Sequence, residues 1–373
     1  MLTRYQLPDI ADLRRLGEPH KITITVYAET QPGPDHRDTN LLTAKSAVDA
    51  ALRTARQRGI SPDVEQRLRD RWEQIAGADL WLRPSRSLAL FIADDFHEVY
   101  VLPNALLTQL QVGAYFDIGQ LVRAVTTPQE AFALTLSANG WNLWNATPAT
   151  RAQELALSGE YAADVAEATN RATVRDRDRV RLGDEDKKAL LETYAKRVFD
   201  AVETELAQSD PGATKPLFLF ATEPLLNLYR ARDHQRRLIP VPGAPDALRP
   251  DQIDETIRTE LSVLNAARST ELANEIGDGV SRGLVATDLA DIGRAAVAGA
   301  VSTLIYDFTV DVLGRLDDST GQITYDDDGY DLLSRLAVTV LDKGGEAVAV
   351  RPQEIEAGIW NGTAVAGLRF ALS

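Results

Sequence analysis

Ala131-Phe-Ala-Leu-Thr-Leu136, then Asn139-Gly140, then Trp141-Asn-Leu-Trp144 is a pair of β-rich runs split by an Asn-Gly dipeptide. Asn-Gly in that position signals a tight hairpin, because both central residues of the favoured turn need positive φ. A charged connection lies downstream, Arg171-Ala-Thr-Val-Arg-Asp-Arg-Asp-Arg-Val-Arg181. Beyond it Leu190, Leu191, Tyr194, Val198, Val202 and Leu206 recur at helical spacing, which predicts a helix over 184–207. Leu217-Phe-Leu-Phe220 reads as a buried strand, followed by a short helix from Glu223 and a strand near Leu238-Ile239. Residues 128–258 therefore read as a small mixed α/β domain.

The flanks have the same character. Upstream, Ile22-Thr-Ile-Thr-Val-Tyr27 alternates as a strand, and a Pro/Gly turn spans 29–38. A helix from about Asn40 to Arg58 is stopped by Gly59, and Ser61-Pro62 starts a second helix that runs to about Ile75. Leu88–Ile92 and Glu98–Leu102 read as strands, so residues 1–127 have the order β-α-α-β-β. Downstream, a long helix from about Asp251 to Glu275 enters a block spanning 259–373. There Thr287 caps a helix to about Ala300, Thr303–Tyr306 is a strand, and Gly344 closes a helix over 330–341. Strands at Glu346–Val350 and Thr363–Leu372 follow. The expected fold class is α/β, with three consecutive α/β domains, 1–127, 128–258 and 259–373.

The 373 residues suit two or three domains, and 44% hydrophobic with 25% charged residues is ordinary for a globular chain. No window approaches the roughly 20 apolar residues of a membrane span, and the N-terminus has no apolar signal-peptide core. There is no cysteine, which excludes disulfides and thiolate sites and suits the cytoplasm. Net charge is −15 but uneven: −1 over 1–127, −4 over 128–258 and −10 over 259–373. RNA contact is thus expected from the first two blocks, and a solvent or protein-facing role from the acidic third.

Catalytic motifs fail on context. Gly279-Val-Ser-Arg-Gly283 has nucleophile-elbow spacing but follows a helix and has no histidine downstream, so it reads as a turn. The glycines there lack dinucleotide-loop spacing, and no phosphate-loop signature exists. His20, His36, His97 and His234 are scattered, and surface exposure is their default. Asp326-Asp-Asp-Gly329 and Asp317-Asp318 lack calcium-loop spacing and read as solvated acidic turns. No catalytic residue, metal or cofactor is expected.

Basic residues carry the remaining signal. Arg171, Arg175, Arg177, Arg179 and Arg181 are followed by Lys187 and Lys188, and a second cluster holds Arg230, Arg232, Arg236 and Arg237. Interleaved Asp176 and Asp178 allow self-pairing; the competing reading is phosphate contact, which positions without reading sequence. Trp141, Trp144 and Trp360 are either base-stacking platforms or core.

The order of parts resembles archaeal and eukaryotic release factors and Pelota. It is more similar to the bacterial archaeo-eukaryotic-release-factor-like proteins, which include Balon-type ribosome hibernation factors. The likeness is carried by Ile22–Tyr27 with Leu41-Leu-Thr-Ala-Lys45, Ala89-Leu-Phe to Val101-Leu-Pro103, Val112-Gly-Ala-Tyr-Phe-Asp-Ile118 and Leu121-Val-Arg-Ala-Val-Thr126. It continues through Leu217 to Pro224 with Tyr229-Arg230, Ala286 to Ile292 and Gly299 to Leu304. The resemblance implies a release-factor-like first domain, a middle domain of RNase H-like topology and a last domain like L7Ae/L30e. It also implies binding in the ribosomal A site, with His36, Arg37 and Lys45 near the decoding centre and the arginine loop near the peptidyl-transferase centre. Elongation factor Tu is the protein partner it implies. True release factors carry Gly-Gly-Gln in the corresponding loop, where glycine permits close backbone approach. Here the loop has only Gly183 and no glutamine, Gly344-Gly345-Glu346 lies elsewhere, and Asn-Ile-Lys-Ser is absent. The expected function is a non-catalytic ribosome-associated factor for hibernating or stalled ribosomes. The alternatives are a peptidyl-tRNA or tRNA-directed hydrolase using Asp184 or Glu185, and a protein-interaction module unrelated to ribosomes.

Overall fold

The computed structural model describes residues 2–31, 34–102, 106–147, 151–168 and 184–371. In chain order the first elements are β1 (Leu2–Arg4), α1 (Ile10–Leu16), β2 (Thr23–Glu29), α2 (Arg37–Gln57), α3 (Pro62–Ala76), β3 (Ser87–Ala93), β4 (His97–Leu102), β5 (Gln109–Gly113) and α4 (Gly119–Thr126). Next come β6 (Ala131–Ser137), β7 (Gly140–Ala146), β8 (Gln153–Glu154), α5 (Val165–Ala168), α6 (Asp184–Ser209), β9 (Leu217–Ala221), α7 (Leu225–Arg230), β10 (Leu238–Pro242) and α8 (Pro250–Gly277). The chain ends with β11 (Val285–Ala286), α9 (Leu289–Val297), β12 (Val301–Asp307), β13 (Leu313–Leu316), β14 (Ile323–Tyr325), β15 (Tyr330–Asp331), α10 (Leu332–Asp342), β16 (Glu346–Val350) and β17 (Ala364–Leu368). The fold class is α/β, as the sequence predicts. Two compact units divide it: 1–128 with 262–373, and 129–261.

The larger unit holds the first and last sequence blocks around shared apolar surface. Its first sheet has the order β1-β4-β3-β2-β5. Leu88, Leu90 and Ile92 of β3 face α2 and α3, while Ala89, Phe91 and Ala93 on the other face join the core that contains Leu304, Tyr306 and Leu336 of the last block. A strand buried on both faces has no polar side, which is why Ser87–Ala93 reads as an apolar run rather than an alternation. Each fully buried large side chain of this kind contributes roughly 1.5–3 kcal/mol. Arg123 on α4 secures the junction: it forms two 2.9 Å bonds to Glu354, donates to the Ala349 carbonyl at 3.0 Å, and lies 4.5 Å from the Phe308 ring centre.

The second sheet of this unit, β11-β17-β12-β16, carries α9 and α10 on one face, while Ala273 and Ile276 of α8 meet Ile305, Val350 and Val365 on the other. Asp288 caps α9, its carboxylate accepting from the Ala290 amide, so the cap lies one residue after the predicted Thr287. Gly344 just past α10 has φ +72°, the left-handed conformation its place after the helix predicts. The acidic turns belong to a three-stranded sheet, β14-β13-β15, that sequence patterning did not reveal. Asp317 there accepts from the amides and hydroxyls of Ser319 and Thr320, and Asp326 pairs with Arg315 at 2.8 Å.

The smaller unit has the order β10-β9-β6-β7-β8, with an antiparallel meander on one side of β6 and parallel β9 and β10 on the other. This is the RNase H-like strand order the resemblance implies. Tyr194, Val198, Val202 and Leu206 of α6 pack on Phe132, Leu134 and Leu136 of β6 and Leu217 and Leu219 of β9. The hairpin is where the sequence places it, but its turn differs. Ser137 pairs with Gly140, so Ala138 and Asn139 form the loop, and neither Asn139 nor Gly140 has positive φ. Ser137 substitutes for the glycine-type turn: its hydroxyl accepts from the Asn139 amide at 3.0 Å and contacts the Gly140 carbonyl at 3.3 Å.

Candidate nucleic-acid interface

The turn before α2 is held by one buried amide. Asn40, 3% exposed, accepts from the Gln31 amide at 2.9 Å and donates to the Gln31 carbonyl at 2.8 Å. The sequence reading starts the helix at Asn40; the helix begins three residues earlier, and Asn40 acts from within it as the clamp. His36, half-buried, ends a 3-10 turn, and Arg37, exposed, opens α2. A cation at a helix N-terminus opposes the helix dipole, so Arg37 does not serve the helix. Lys45 is exposed about two turns further on. Among the described residues none of these three side chains has an ion pair.

In the middle unit the predicted cluster divides. Arg230 and Arg237 are exposed and make no ion pair among the described residues. Arg232 is half-buried and donates to the Glu192 carbonyl of α6 at 3.2 Å. Lys188 is exposed, 3.9 Å from Glu192, a surface pair worth at most about 0.5 kcal/mol. Arg236 is a correction. It is 5% exposed, its Nη1 donates to Asp210 at 2.9 Å, and its guanidinium lies 5.5 Å from the Phe132 ring centre. Its charge is matched inside the fold, so Arg236 is a core residue and not an RNA contact. Burial pushes the Asp210 carboxyl up, but the amides of Lys215 and Thr214, the Thr214 hydroxyl and Arg236 outweigh it and hold the pKa down at about 2.

Arg171, Arg175, Arg177, Arg179 and Arg181 lie outside the described residues, as do the side chains of Asp184, Glu185 and Lys187. The sequence reading passed over Lys196 and Arg197, both exposed on α6. Lys188, Glu192 and Lys196 share one helical face at i, i+4, i+8, the complement of the apolar stripe already read, so these cations were within reach of the periodicity.

Aromatic and histidine residues settle toward packing. Trp141 and Trp144 are each 8% exposed, and their indole N–H groups donate to the Ala162 carbonyl and the Thr135 hydroxyl. Trp360 is half-buried against the core under α8. His97 is buried and His234 sits between Phe199 and Tyr229, against the expected exposure. Among the described residues no three carboxylates or imidazoles converge as a metal site requires, and no helix is long and apolar enough to cross a membrane. The arrangement offers dispersed cations on two surfaces and a buried scaffold beneath each.

Comparison with known proteins gives the following. In sequence, no curated protein matches the chain. In structure it is similar to Archaeoglobus fulgidus Pelota at 14% identity, covering 77% of this chain and 80% of that one, with a TM-score of 0.36. A model of ribosome-bound archaeal Pelota and ABCE1 has 12% identity, 99% and 96% coverage and a TM-score of 0.42. S. cerevisiae Dom34, a translation termination-like factor, has 11% identity, 80% and 77% coverage and a TM-score of 0.36. TM-scores this low do not establish a common overall architecture. The sequence comparison is firmer and falls on the middle block: residues 128–267 match the model of bacterial archaeo-eukaryotic release factor family 11, the kind of protein the order of parts resembles.

Proposed function

We propose that the chain is a ribosome-associated factor of the release-factor kind that occupies the A site of stalled or hibernating ribosomes and releases no peptide. One observation supports this above the others. The segment matching a release-factor family model, 128–267, contains no Gly-Gly-Gln. In its place the connection 171–181 carries five arginines, suited to phosphates and unable to position a hydrolytic water as glutamine does. Arg230, Arg237, Lys188 and Lys196 would add contacts from the same unit, and His36, Arg37 and Lys45 would serve a second contact near the decoding centre. The strongly acidic residues 259–373 would face a protein partner, elongation factor Tu being the one the resemblance implies.

Ribosome co-sedimentation tests the reading. Lysates from stationary and cold-stressed cells are fractionated on sucrose gradients with wild type and with Arg175, Arg177 and Arg179 all changed to Glu. Wild type is expected in ribosomal fractions at low salt, and the triple variant largely in the free fraction. Wild type in the free fraction under every stress and salt condition would end the proposal.

A further inference from the structure

The sheet of the middle unit is covered by α6 on one face. On the other lies a cavity of about 290 Å³, near the lower end of ligand-site volumes. Trp144, Pro245 and Ile253, all buried, form its floor; Asn139, Asn142 and Asp246, all exposed, form its rim.

Hydrogen-bond accounting shows which polar atoms the rim has to offer. Asn139 Nδ2 donates to Asp246 Oδ2 at 3.0 Å, and Asn142 Nδ2 donates to Glu154 at 2.6 Å. A carboxylate only accepts, so both amide nitrogens must face the carboxylates and both amide oxygens are left over. The Trp144 indole N–H donates to the Thr135 hydroxyl, which in turn contacts the Asn142 carbonyl at 3.2 Å. The lining side chains therefore present three acceptors, two amide oxygens and the second oxygen of Asp246, beside one further N–H on each amide, and Asp246 carries the only formal charge among the described lining residues. Among the described residues no lysine, arginine or histidine lines the cavity.

The negative charge of this surface repels phosphate. It matches a cation rich in donors and weakly hydrated enough to sit on an aromatic and aliphatic floor. Guanidinium has five N–H donors, no acceptor and a flat face that packs on such a floor; ammonium is a compact, strongly hydrated charge. We propose that this cavity receives the guanidinium of an arginine side chain from a basic polypeptide segment of a partner, with Asp246 as its counter-charge. The contact is to protein, and it stands apart from the RNA contacts proposed above.

Isothermal titration on the full chain tests it, using a capped peptide Gly-Ser-Gly-Arg-Gly-Ser-Gly, its lysine and citrulline counterparts, and a uridine decanucleotide. Asp246→Asn removes the charge but keeps an oxygen to accept from Asn139. Asp278→Asn, an exposed site in the other unit, makes the same change in net charge. The arginine peptide is expected to bind. Binding should weaken about tenfold or more in Asp246→Asn and with citrulline, severalfold with lysine, and less than twofold in Asp278→Asn, as loss of one charge-assisted contact requires. No heat with the arginine peptide at tens of millimolar, equal weakening by both variants, or displacement of the peptide by the decanucleotide would each overturn the assignment.

Discussion

Two arginine clusters of this molecule look alike in sequence composition and behave oppositely. In the larger unit Arg4 and Arg15 meet Asp12 and Glu98 in a closed network. Arg4 binds Asp12 at 2.8 and 2.9 Å and also Glu98, and Arg15 binds Asp12 at 2.9 Å and Glu98 at 2.8 Å. Both of these guanidinium groups have carboxylate partners within the fold. In the middle unit Arg230, Arg232, Arg236 and Arg237 split, Arg236 inward to Asp210 and Arg230 and Arg237 outward, with no ion pair among the described residues. Adjacent residues 236 and 237 take opposite roles because Arg237 directly precedes β10, whose pleat turns successive side chains to opposite sides. Cation density in a sequence is thus no measure of cation availability. Availability depends on whether a carboxylate distant in sequence lies close in space.

That contrast is open to attack at graded cost. Arg236→Ala should be the most damaging, since removing one partner of a buried pair costs roughly 3–5 kcal/mol, whereas Arg237→Ala should stay within about 0.5 kcal/mol. Urea unfolding of both variants checks this, and equal effects would erase the distinction. The same pair gives a pH dependence. Asp210 is held below its ordinary 3.8, so its contribution is full above about pH 4 and is lost as pH falls toward 2. Wild type should therefore lose stability there more steeply than an Asp210→Asn variant.

A smaller effect is expected at the junction of the larger unit. Arg123→Ala removes two charge-assisted bonds to partly exposed Glu354 and should cost about 2 kcal/mol, read from the same unfolding curves. Near it Asp117 works in the opposite sense to Asp210. Burial pushes its carboxyl up to about 7, with Asp331 and Asp311 adding to the rise while the Gly119 amide opposes it. Its protonated form favours the fold, so its contribution is full below about pH 3.8 and is lost as pH climbs through 7. Asp117→Asn should flatten that decline, and unchanged slopes between pH 5 and 8 would refute the assignment. The smallest effect belongs to Lys188→Ala, within about 0.5 kcal/mol because its pairing with Glu192 is exposed.

Much of this was legible in the chain. Gly59, Ser61-Pro62 and the stripe from Leu190 to Leu206 place the end of α2, the start of α3 and the extent of α6 closely, because caps and helical periodicity are local properties. The strands flanking Asn139 were equally clear. The turn between them was not, since Ser137 supplies a side-chain bond that makes positive φ unnecessary. The sheet β14-β13-β15 escaped notice because its strands are short and half-exposed, with Gly314 and acidic turns where apolar alternation is sought. The double burial of β3 was hinted at by an unbroken apolar run, but that its second face meets the last block is a long-range fact no local pattern carries. The interface residues divide the same way. The exposure of Arg37, Lys45 and Arg230 follows from composition, while the burial of Arg236 depends on Asp210, 26 positions away in the chain. Asp246 gave no signal at all, because its significance comes from Asn139 on a different element.

The most direct measurement combines binding and chemistry in one sample. Purified ribosomes carrying labelled peptidyl-tRNA are mixed with the chain at low salt, pelleted, and assayed for both bound protein and freed peptide. The account predicts that the chain pellets with the ribosomes and that peptide appears no faster than in its absence. Peptide released above the spontaneous rate, or a chain left wholly in the supernatant, would contradict it.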